Sequence, residues 1–477
     1  MVAHERNSTI HPPAPELVVV MVPFVAHGHL NQLLHLSRLI STHNIPVHFL
    51  TTTTHIRQVR SRLHNSDPNS AASNLIHFHD FSTPPFTSPP PNPSSRFPAH
   101  LQPAFDSSLH LRHPVTNLIQ SLSKTARRVA VIHDALMLYV VQDVKFIPNA
   151  VTYIFNPVSA FDTFWRAWDR RNRPFPVDPG MLKRLPSNDG CFSPEFIEFV
   201  KLQLTVKENS QVGELIDSSR AIEAEYIAYL QREEMIGNKK LWAVGPLNLV
   251  DKVKPTNSTV SKHRHQCLQW LDLQPPSSVV YVSFGTTTTF TDEQITEMAI
   301  GLERSQQRFI WVVRAADKGD VFGDETKMAD LPDGFEDRVE GRGLVVRGWA
   351  PQMEILGHVA TGGFMTHCGW NSCTESISKG VPMATWPMHS DQPRNAFLIT
   401  DVLKIGLVTN DWEHRDELVK SVVVEDVVRR LMESKEGDEM RKRAVELADS
   451  VRSSVAEGGE CRKEIDSFIC HISGRHG

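Results

Sequence analysis

The sequence predicts an α/β protein made of two parallel-sheet halves, and three observations carry that prediction. Short continuous apolar runs rich in β-branched residues recur along the chain, beginning with Leu17-Val18-Val19-Val20-Met21-Val22. Runs of that kind mark strands buried on both faces, as in a parallel sheet, and segments of helical apolar spacing separate them. The pattern breaks off in a charged, polar stretch from Val250 to His265 and then starts again, and 477 residues exceed what one average domain holds.

Taken in order, Leu17–Val22 is the first strand and Pro23 to His29 the loop after it. Leu30, Leu33, Leu34, Ser37 and Ile40 then keep one helical face, and Ile45 to Leu50 is a second strand. This is a β-α-β unit, so a right-handed parallel crossover follows. Pro84 to Pro98, rich in Pro and Ser, reads as a mobile surface loop. Val129-Ala130-Val131-Ile132 is another buried strand, running into His133-Asp134. The stretch from Asn156 to about Ile197 carries Phe161, Phe164, Trp165, Trp168, Phe175 and Phe192; it reads as helix packing or as the lining of an apolar pocket, the pocket being favoured. Leu241 to Leu247 ends the first half. Val250 to His265 reads as an interdomain linker. Val279 to Phe284 opens the second series, Phe309 to Val313 continues it, and Leu344-Val345-Val346 leads into Trp349. Gly362 to Thr366 and Met383 to Trp386 are further strands. Val424, Val427, Val428 and Leu431 resume helical spacing, and Met440 to Ile472 is an amphipathic helical tail.

Composition excludes several classes of function. The net charge of −5, with no basic block, argues against nucleic acid as a partner. The six cysteines are scattered with no C-x-x-C pair, which suits reduced thiols in the cytoplasm. Residues 1–15 lack the apolar core of a secretion signal, and the longest apolar run, Leu17 to Ala26, is too short to span a bilayer. Asn7-Ser8-Thr9 and Asn257-Ser258-Thr259 match glycosylation sequons, which carry no meaning without a secretory route. No G-x-x-x-x-G-K-[ST], G-x-S-x-G or H-E-x-x-H occurs, so P-loop, serine-hydrolase and zincin chemistry have no support. His29 and His35 on one helix lack a third ligand, and no metal is expected.

The chemistry concentrates in Trp349 to Gln392, which reads strand, turn, helix start, strand and loop. Asn371-Ser372 opens the helix, and Ser372 with Glu375 fits capping-box spacing. Free N–H groups at a helix start suit a phosphate. Glu375, about one turn in, suits a sugar diol, Trp349 offers a flat face for a base, and Asp391 and Gln392 suit hexose hydroxyls. A buried β-α-β unit alone does not need Trp, Gln, His, Asn, Glu and Asp on its loops. Ligands of open parallel sheets bind beyond the carboxyl ends of strands. Four groups obey that rule: His29 and Asp134 from the first half, Thr286 and His367 from the second. The arrangement sets a base and its orienting carboxylate across a cleft from an anion site.

The stretch from Trp349 to Gln392 resembles, over its full length, the signature of plant family 1 UDP-sugar glycosyltransferases. The resemblance extends to Gly28-His29-Leu30-Asn31-Gln32-Leu33-Leu34-His35-Leu36-Ser37-Arg38, to Val158-Ser159-Ala160-Phe161, and to Trp386-Pro387-Met388-His389-Ser390-Asp391-Gln392-Pro393-Arg394-Asn395. Within the family these segments are most similar to the zeatin O-glucosyltransferase group. His27 stands where relatives often carry Gln, and Gln32 where many carry Pro.

The resemblance implies a GT-B fold, two facing Rossmann-like domains with a cleft between them. Residues 1–247 would bind the acceptor, 248–265 link, 266–455 bind the UDP-sugar, and 456–477 form a C-terminal helix packing back on the first domain. It implies that Trp349 stacks on uracil, with Ala350 beside it, and that Gln352 contacts the nucleoside. Thr286, His367, Asn371 and Ser372 would hold the diphosphate and Glu375 the ribose, while Trp370, Asp391 and Gln392 face the sugar. His29 is the implied base and Asp134 its partner. The implied reaction is inverting, metal-free transfer of glucose from UDP-glucose to a hydroxyl of a small acceptor, a zeatin-type cytokinin. A flavonoid, terpenoid or glycoside acceptor, UDP-xylose as donor, and a ligand-binding protein without turnover are the alternatives. A monomer without nucleic-acid or membrane partners is expected.

Overall fold

The computed structural model describes residues 15–63, 73–206, 211–250, 264–314, 316–317 and 330–474. Both sequons' asparagines, residues 1–14 and most of the expected linker lie outside them. Among the described residues two parallel sheets carry the fold.

The first sheet contains β1 (Leu17–Val22), β2 (Val47–Thr52), β3 (Ile76–Phe81), β4 (Arg128–Asp134), β5 (Ala150–Asn156), β6 (Gln211–Ile216) and β7 (Lys240–Ala243) in the order β3-β2-β1-β4-β5-β6-β7. The second contains β8 (Val279–Ser283), β9 (Arg308–Val312), β10 (Gly343–Val346), β11 (Thr361–Thr366), β12 (Met383–Thr385) and β13 (Gly406–Val408) in the order β10-β9-β8-β11-β12-β13. Every pairing is parallel. The strand order reverses direction beside β1 and β4 in one sheet and beside β8 and β11 in the other. Those switch points are where doubly wound sheets open a crevice.

The run in β1 explains its place. Val19 and Met21 bury against Leu30, Leu33 and the helix Glu460–Ile472 on one face, and Val18, Val20 and Val22 bury against Phe24 and Phe105 on the other. Fully burying such a side chain stabilises the fold by roughly 1.5–3 kcal/mol, so a strand apolar on both faces belongs at the centre. The helix Glu460–Ile472 is pinned further by Trp242 Nε1 donating to Ser467 Oγ at 3.3 Å and Arg128 donating to the His471 carbonyl at 3.2 Å.

Three expectations are corrected. β4 runs two residues past Ile132, so Asp134 is its last residue and faces the switch point. In the aromatic stretch after Asn156 most of the rings pack: Phe161, Phe164, Trp165, Trp168 and Phe175 are buried in a core shared with the second half, while Phe192 stacks on Phe196 at 5.4 Å. Phe161 stacks on Phe397 of that half at 5.9 Å between centroids. A helix with this many large apolar groups, Ala160–Arg170, minimises its exposed surface by facing two partners. The Pro84–Pro98 segment has no regular structure, as its composition implies, but it is tied down at its end. Phe97 is buried among Phe192 and Phe196, and Arg96 pairs with Asp416 of the second half at 3.1 Å.

Candidate active site

The side that carries His29 and Asp134 is built by β1, β4 and one helix. The helix His27–Ser41 starts directly after β1, its N-cap Ala26 supplying no side-chain cap. That places His29 in the first turn, at the end of a strand adjacent to β4. Asp134 closes β4 and is fully buried, while the His29 side chain keeps 24% of its exposure. His29 Nδ1 lies 2.7 Å from Asp134 Oδ2. A carboxylate only accepts, so Nδ1 carries the hydrogen and Nε2 is left as the basic nitrogen. Asp134 is itself oriented: its Oδ1 accepts from the Leu136 N–H at 2.9 Å. Burial disfavours the His29 imidazolium, but the charge of Asp134, the hydrogen bond to it and the charge of Asp391 outweigh burial and hold the group above its ordinary 6.5.

An aromatic cluster lies beside His29, and of the rings singled out from the sequence only Phe192 joins it, stacked on Phe196 at 5.4 Å. Phe24 meets the His29 ring edge-on at 5.3 Å and packs on Phe105, Phe196 and Phe199. Their wide separation in the chain hid the cluster. The only hint was the apolar spacing of Phe196 and Phe199 in the helix Pro194–Thr205.

Across the seam, β11 turns at His367-Cys368-Gly369 into the helix Trp370–Lys379. The capping box expected from Ser372 and Glu375 does not form. Gly369 is the N-cap, no side chain caps it, and Ser372 sits inside the first turn. The first N–H groups of this helix therefore carry the positive end of its dipole without a protein acceptor among the described residues. Gly369 is required there, since a Cβ would stand 2.6 Å from His367 Nε2. Gly285, in a left-handed turn after β8, gives the same ring its room on the other side, where a Cβ would approach to 2.8 Å. Cys368 between them holds φ of +64°, a conformation costly for a residue with a side chain. It is fixed by Asn395 Nδ2 donating to its carbonyl at 3.0 Å.

The remaining residues named from the sequence fall into three groups. Where the nucleoside is expected, Trp349 is 67% exposed, with the His265 ring edge-on at 5.9 Å. The Ala350 carbonyl accepts from the Gln352 N–H at 2.9 Å. Gln352 Nε2 donates to Glu375 Oε2 at 2.7 Å and Ser372 Oγ at 3.0 Å, and the Tyr281 hydroxyl donates to its Oε1 at 3.4 Å. Burial raises the Glu375 carboxyl, which the Gln352 bond partly counters.

At the helix start, His367 is pushed down to about 4 by burial, and its Nδ1 is buried without a protein partner. It is therefore a neutral hydrogen-bonding group near pH 7, and any anion charge falls to the helix N–H groups. The Thr286 carbonyl accepts from the Asp317 N–H at 2.6 Å. Asn371 reaches the first half, where its Nδ2 donates to the Gly28 carbonyl at 3.2 Å.

After β12, Asp391 gives one carboxylate oxygen to Asn395 at 2.7 Å and is pushed up to about 6 by burial and the nearby Asp162. Gln392, 4% exposed, spends its oxygen on the Met388 and His389 N–H groups at 2.9 and 3.0 Å, so only its NH₂ remains for a ligand. Trp370 departs most from expectation. Its indole is buried in the shared core and donates to the Asp217 carbonyl at 2.7 Å, a contact between the halves.

Two histidines join this site that the sequence did not single out. His389, inside the signature stretch, meets Phe97 edge-on at 5.6 Å and is pushed down to about 3 by burial, with His367 and His100 adding to that. His100 lies 2.9 Å from the Asp317 carbonyl and is lowered by burial.

Two doubly wound sheets whose switch points meet across a seam define a GT-B enzyme. Residues 15–249 match the family described as glycosyltransferase, N-terminal domain, and residues 232–425 match UDP-glucoronosyl and UDP-glucosyl transferase. The chain is 54% identical over 468 residues to a zeatin O-glucosyltransferase of Phaseolus lunatus, covering 98% of this chain and 99% of that protein. It is 53% identical over 459 residues to a zeatin O-xylosyltransferase of Phaseolus vulgaris, covering 96% and 98%. Among solved structures it resembles UGT2 of Phytolacca americana complexed with UDP-2fluoro-glucose and pterostilbene, with a TM-score of 0.73 at 28% identity over 97% of this chain and 100% of that one. The chain belongs to the UDP-glucoronosyl and UDP-glucosyl transferase family and is a UDP-glycosyltransferase acting on small acceptors. No helix among the described residues is long and apolar enough to cross a membrane.

Proposed function

We propose that the protein transfers glucose from UDP-glucose to the hydroxyl of a zeatin-type cytokinin, with inversion. The observation that carries the chemistry is the 2.7 Å His29–Asp134 pair at the switch point of one sheet, opposite the uncapped helix start of the other. The acceptor O–H meets His29 Nε2, which takes its proton as the oxygen attacks the anomeric carbon. The bond from that carbon to the phosphate oxygen breaks, and UDP leaves with the electron pair toward the N–H groups of the helix Trp370–Lys379, beside His367 and Thr286. Asp134 stabilises the imidazolium. An attack from the face opposite UDP yields the β-glucoside.

In this reading residues 1–247 take the acceptor and 266–455 the donor. Trp349 covers the base, Gln352 and Glu375 hold the nucleoside, and Asp391 with the NH₂ of Gln392 meets the hexose. Phe24 and its aromatic neighbours offer a flat apolar wall beside His29, which suits a planar heterocycle carrying a hydroxylated side chain. The acceptor class rests on the similarity to the Phaseolus zeatin enzymes. One of those two bears the name of a xylosyltransferase, so UDP-xylose is the second donor reading. All six thiols are free, five of them buried, which suits a reducing compartment, and we place the protein in the cytoplasm as a monomer.

The test is a matrix of UDP-glucose and UDP-xylose against zeatin, a flavonol and a triterpene, read by mass spectrometry with EDTA present. Zeatin glucoside as the main product supports the reading. Preference for another acceptor, or loss of activity in EDTA restored by Mg²⁺, overturns the corresponding part of it.

A further inference from the structure

Gln32 is on the helix of the proposed base, one turn beyond His29, and is only 3% exposed. Its Nε2 donates to Asn371 Oδ1 at 2.8 Å, linking residues 339 apart in the chain. Asn371 in turn donates from Nδ2 to the Gly28 carbonyl. The donor and acceptor assignments in this chain are forced. A backbone carbonyl only accepts, so the NH₂ of Asn371 must face Gly28 and its oxygen must face Gln32, whose NH₂ is then the sole group able to satisfy it. Nδ2 of Asn371 carries two hydrogens and Gly28 takes one. The other is available at the uncapped start of the helix Trp370–Lys379.

The arrangement is clamped from both sides. Gly28 holds the nitrogen of Asn371 and Gln32 holds its oxygen, so the amide cannot rotate its oxygen toward an arriving anion. The Gln32 carbonyl oxygen, meanwhile, is buried with no hydrogen-bond partner among the described residues. A side chain present only to fill the seam would not need to bury an unsatisfied oxygen.

We infer that Gln32 is a positioning residue for the donor: it fixes the amide of Asn371 with its remaining N–H toward the diphosphate and ties the helix of the base to the helix that receives the leaving group. This rests on the reading that the diphosphate lies at the start of the helix Trp370–Lys379.

The experiment is calorimetric titration of UDP into the full-length chain, with thermal melting of each variant alongside. Gln32→Leu should weaken UDP binding roughly 2- to 10-fold, the value of one neutral hydrogen bond, and should raise the donor KM by a like factor. The acid limb of kcat/KM set by His29 should stay in place. Gln32→Glu keeps the size and makes the effect titratable. Protonated, it donates to Asn371 Oδ1; ionised, it opposes that oxygen and adds a negative charge beside an anion site. Its UDP affinity relative to wild type should therefore fall as pH rises from about 5 to about 8, where a buried carboxyl loses its proton. Should Gln32→Leu fail to fold, Gln32→Glu carries the test through that pH dependence.

Unchanged UDP affinity in Gln32→Leu, or a flat ratio across pH in Gln32→Glu, overturns the inference. Glu375→Ala separates the two levels. If it weakens UDP binding while both Gln32 variants do not, only the role of Gln32 is lost. If wild type and Glu375→Ala bind UDP alike, the donor site itself has been misread.

Discussion

Asp134→Asn isolates the orientation of the base. Asp134 Oδ1 accepts the Leu136 N–H and Oδ2 accepts His29 Nδ1–H. An asparagine there keeps its oxygen on Leu136, because turning it would oppose an NH₂ to an N–H. Its NH₂ then faces His29 Nδ1, which must become the acceptor, and the hydrogen moves to Nε2. The nitrogen that should take the proton from the acceptor alcohol is thereby blocked. Losing the charged hydrogen bond to the imidazolium accounts for roughly 1.5–3 kcal/mol, or about 10- to 150-fold. With the wrong tautomer added, the plateau of kcat should fall about 10²–10⁴-fold, the span of general-base loss.

The pH profile gives a second reading with a definite sign. His29 is held above 6.5 because Asp134 and Asp391 outweigh burial, and activity needs its neutral form, so wild-type kcat/KM should fall as pH drops through that raised value. Removing the Asp134 charge leaves burial less opposed, and the acid limb should move to lower pH. A UDP-release assay across pH measures both effects, and the dissociation constant of UDP should stay within about twofold because Asp134 belongs to the other half. A variant that keeps kcat within a few-fold of wild type, or whose limb moves upward, refutes the reasoning.

Two further predictions concern the same cleft. His29→Ala should cost about 10²–10⁴-fold in transfer with UDP binding nearly intact, and His27→Ala should be mild; the reverse ranking in the UDP-release assay would show the base to be misassigned. Gln392→Ala should depress turnover of UDP-glucose more than it raises the inhibition constant of UDP, whereas Glu375→Ala should weaken both, each buried group left unmatched costing about 1–3 kcal/mol. Equal effects of Gln392→Ala on turnover and on UDP inhibition would count against a sugar contact.

What the sequence made legible follows from how local each signal was. β1 is an uninterrupted apolar run and β4, β8 and β9 each contain one of four residues, so their burial on two faces could be read directly. β3 reads Ile-His-Phe-His-Asp-Phe at a sheet edge and β13 has three residues, too polar or too short to stand out. Ser372 and Glu375 had the right spacing for a cap, but the N-cap falls three residues earlier, at Gly369, which makes way for the His367 ring, a constraint set by tertiary contact. The aromatic stretch after Asn156 left helix packing and pocket lining both open, and most of its rings pack, since apolar surface alone does not say whether its partner is a ligand or another helix. His29 and Asp134 could be placed because strand ends fix them. The link from Gln32 to Asn371 could not, as nothing local joins residues so far apart.

The core shared by Phe161, Tyr226 and Ile216 of one half with Phe397, Ile399 and Val451 of the other has a consequence for motion and unfolding. Prising the halves apart like a hinged jaw would expose that apolar interface to water. Opening of that kind therefore carries a desolvation cost that movement of loops at the rim does not. Heat should meet the same obstacle: melting either half uncovers the other's share of that core, so calorimetry should record coupled unfolding of the two halves.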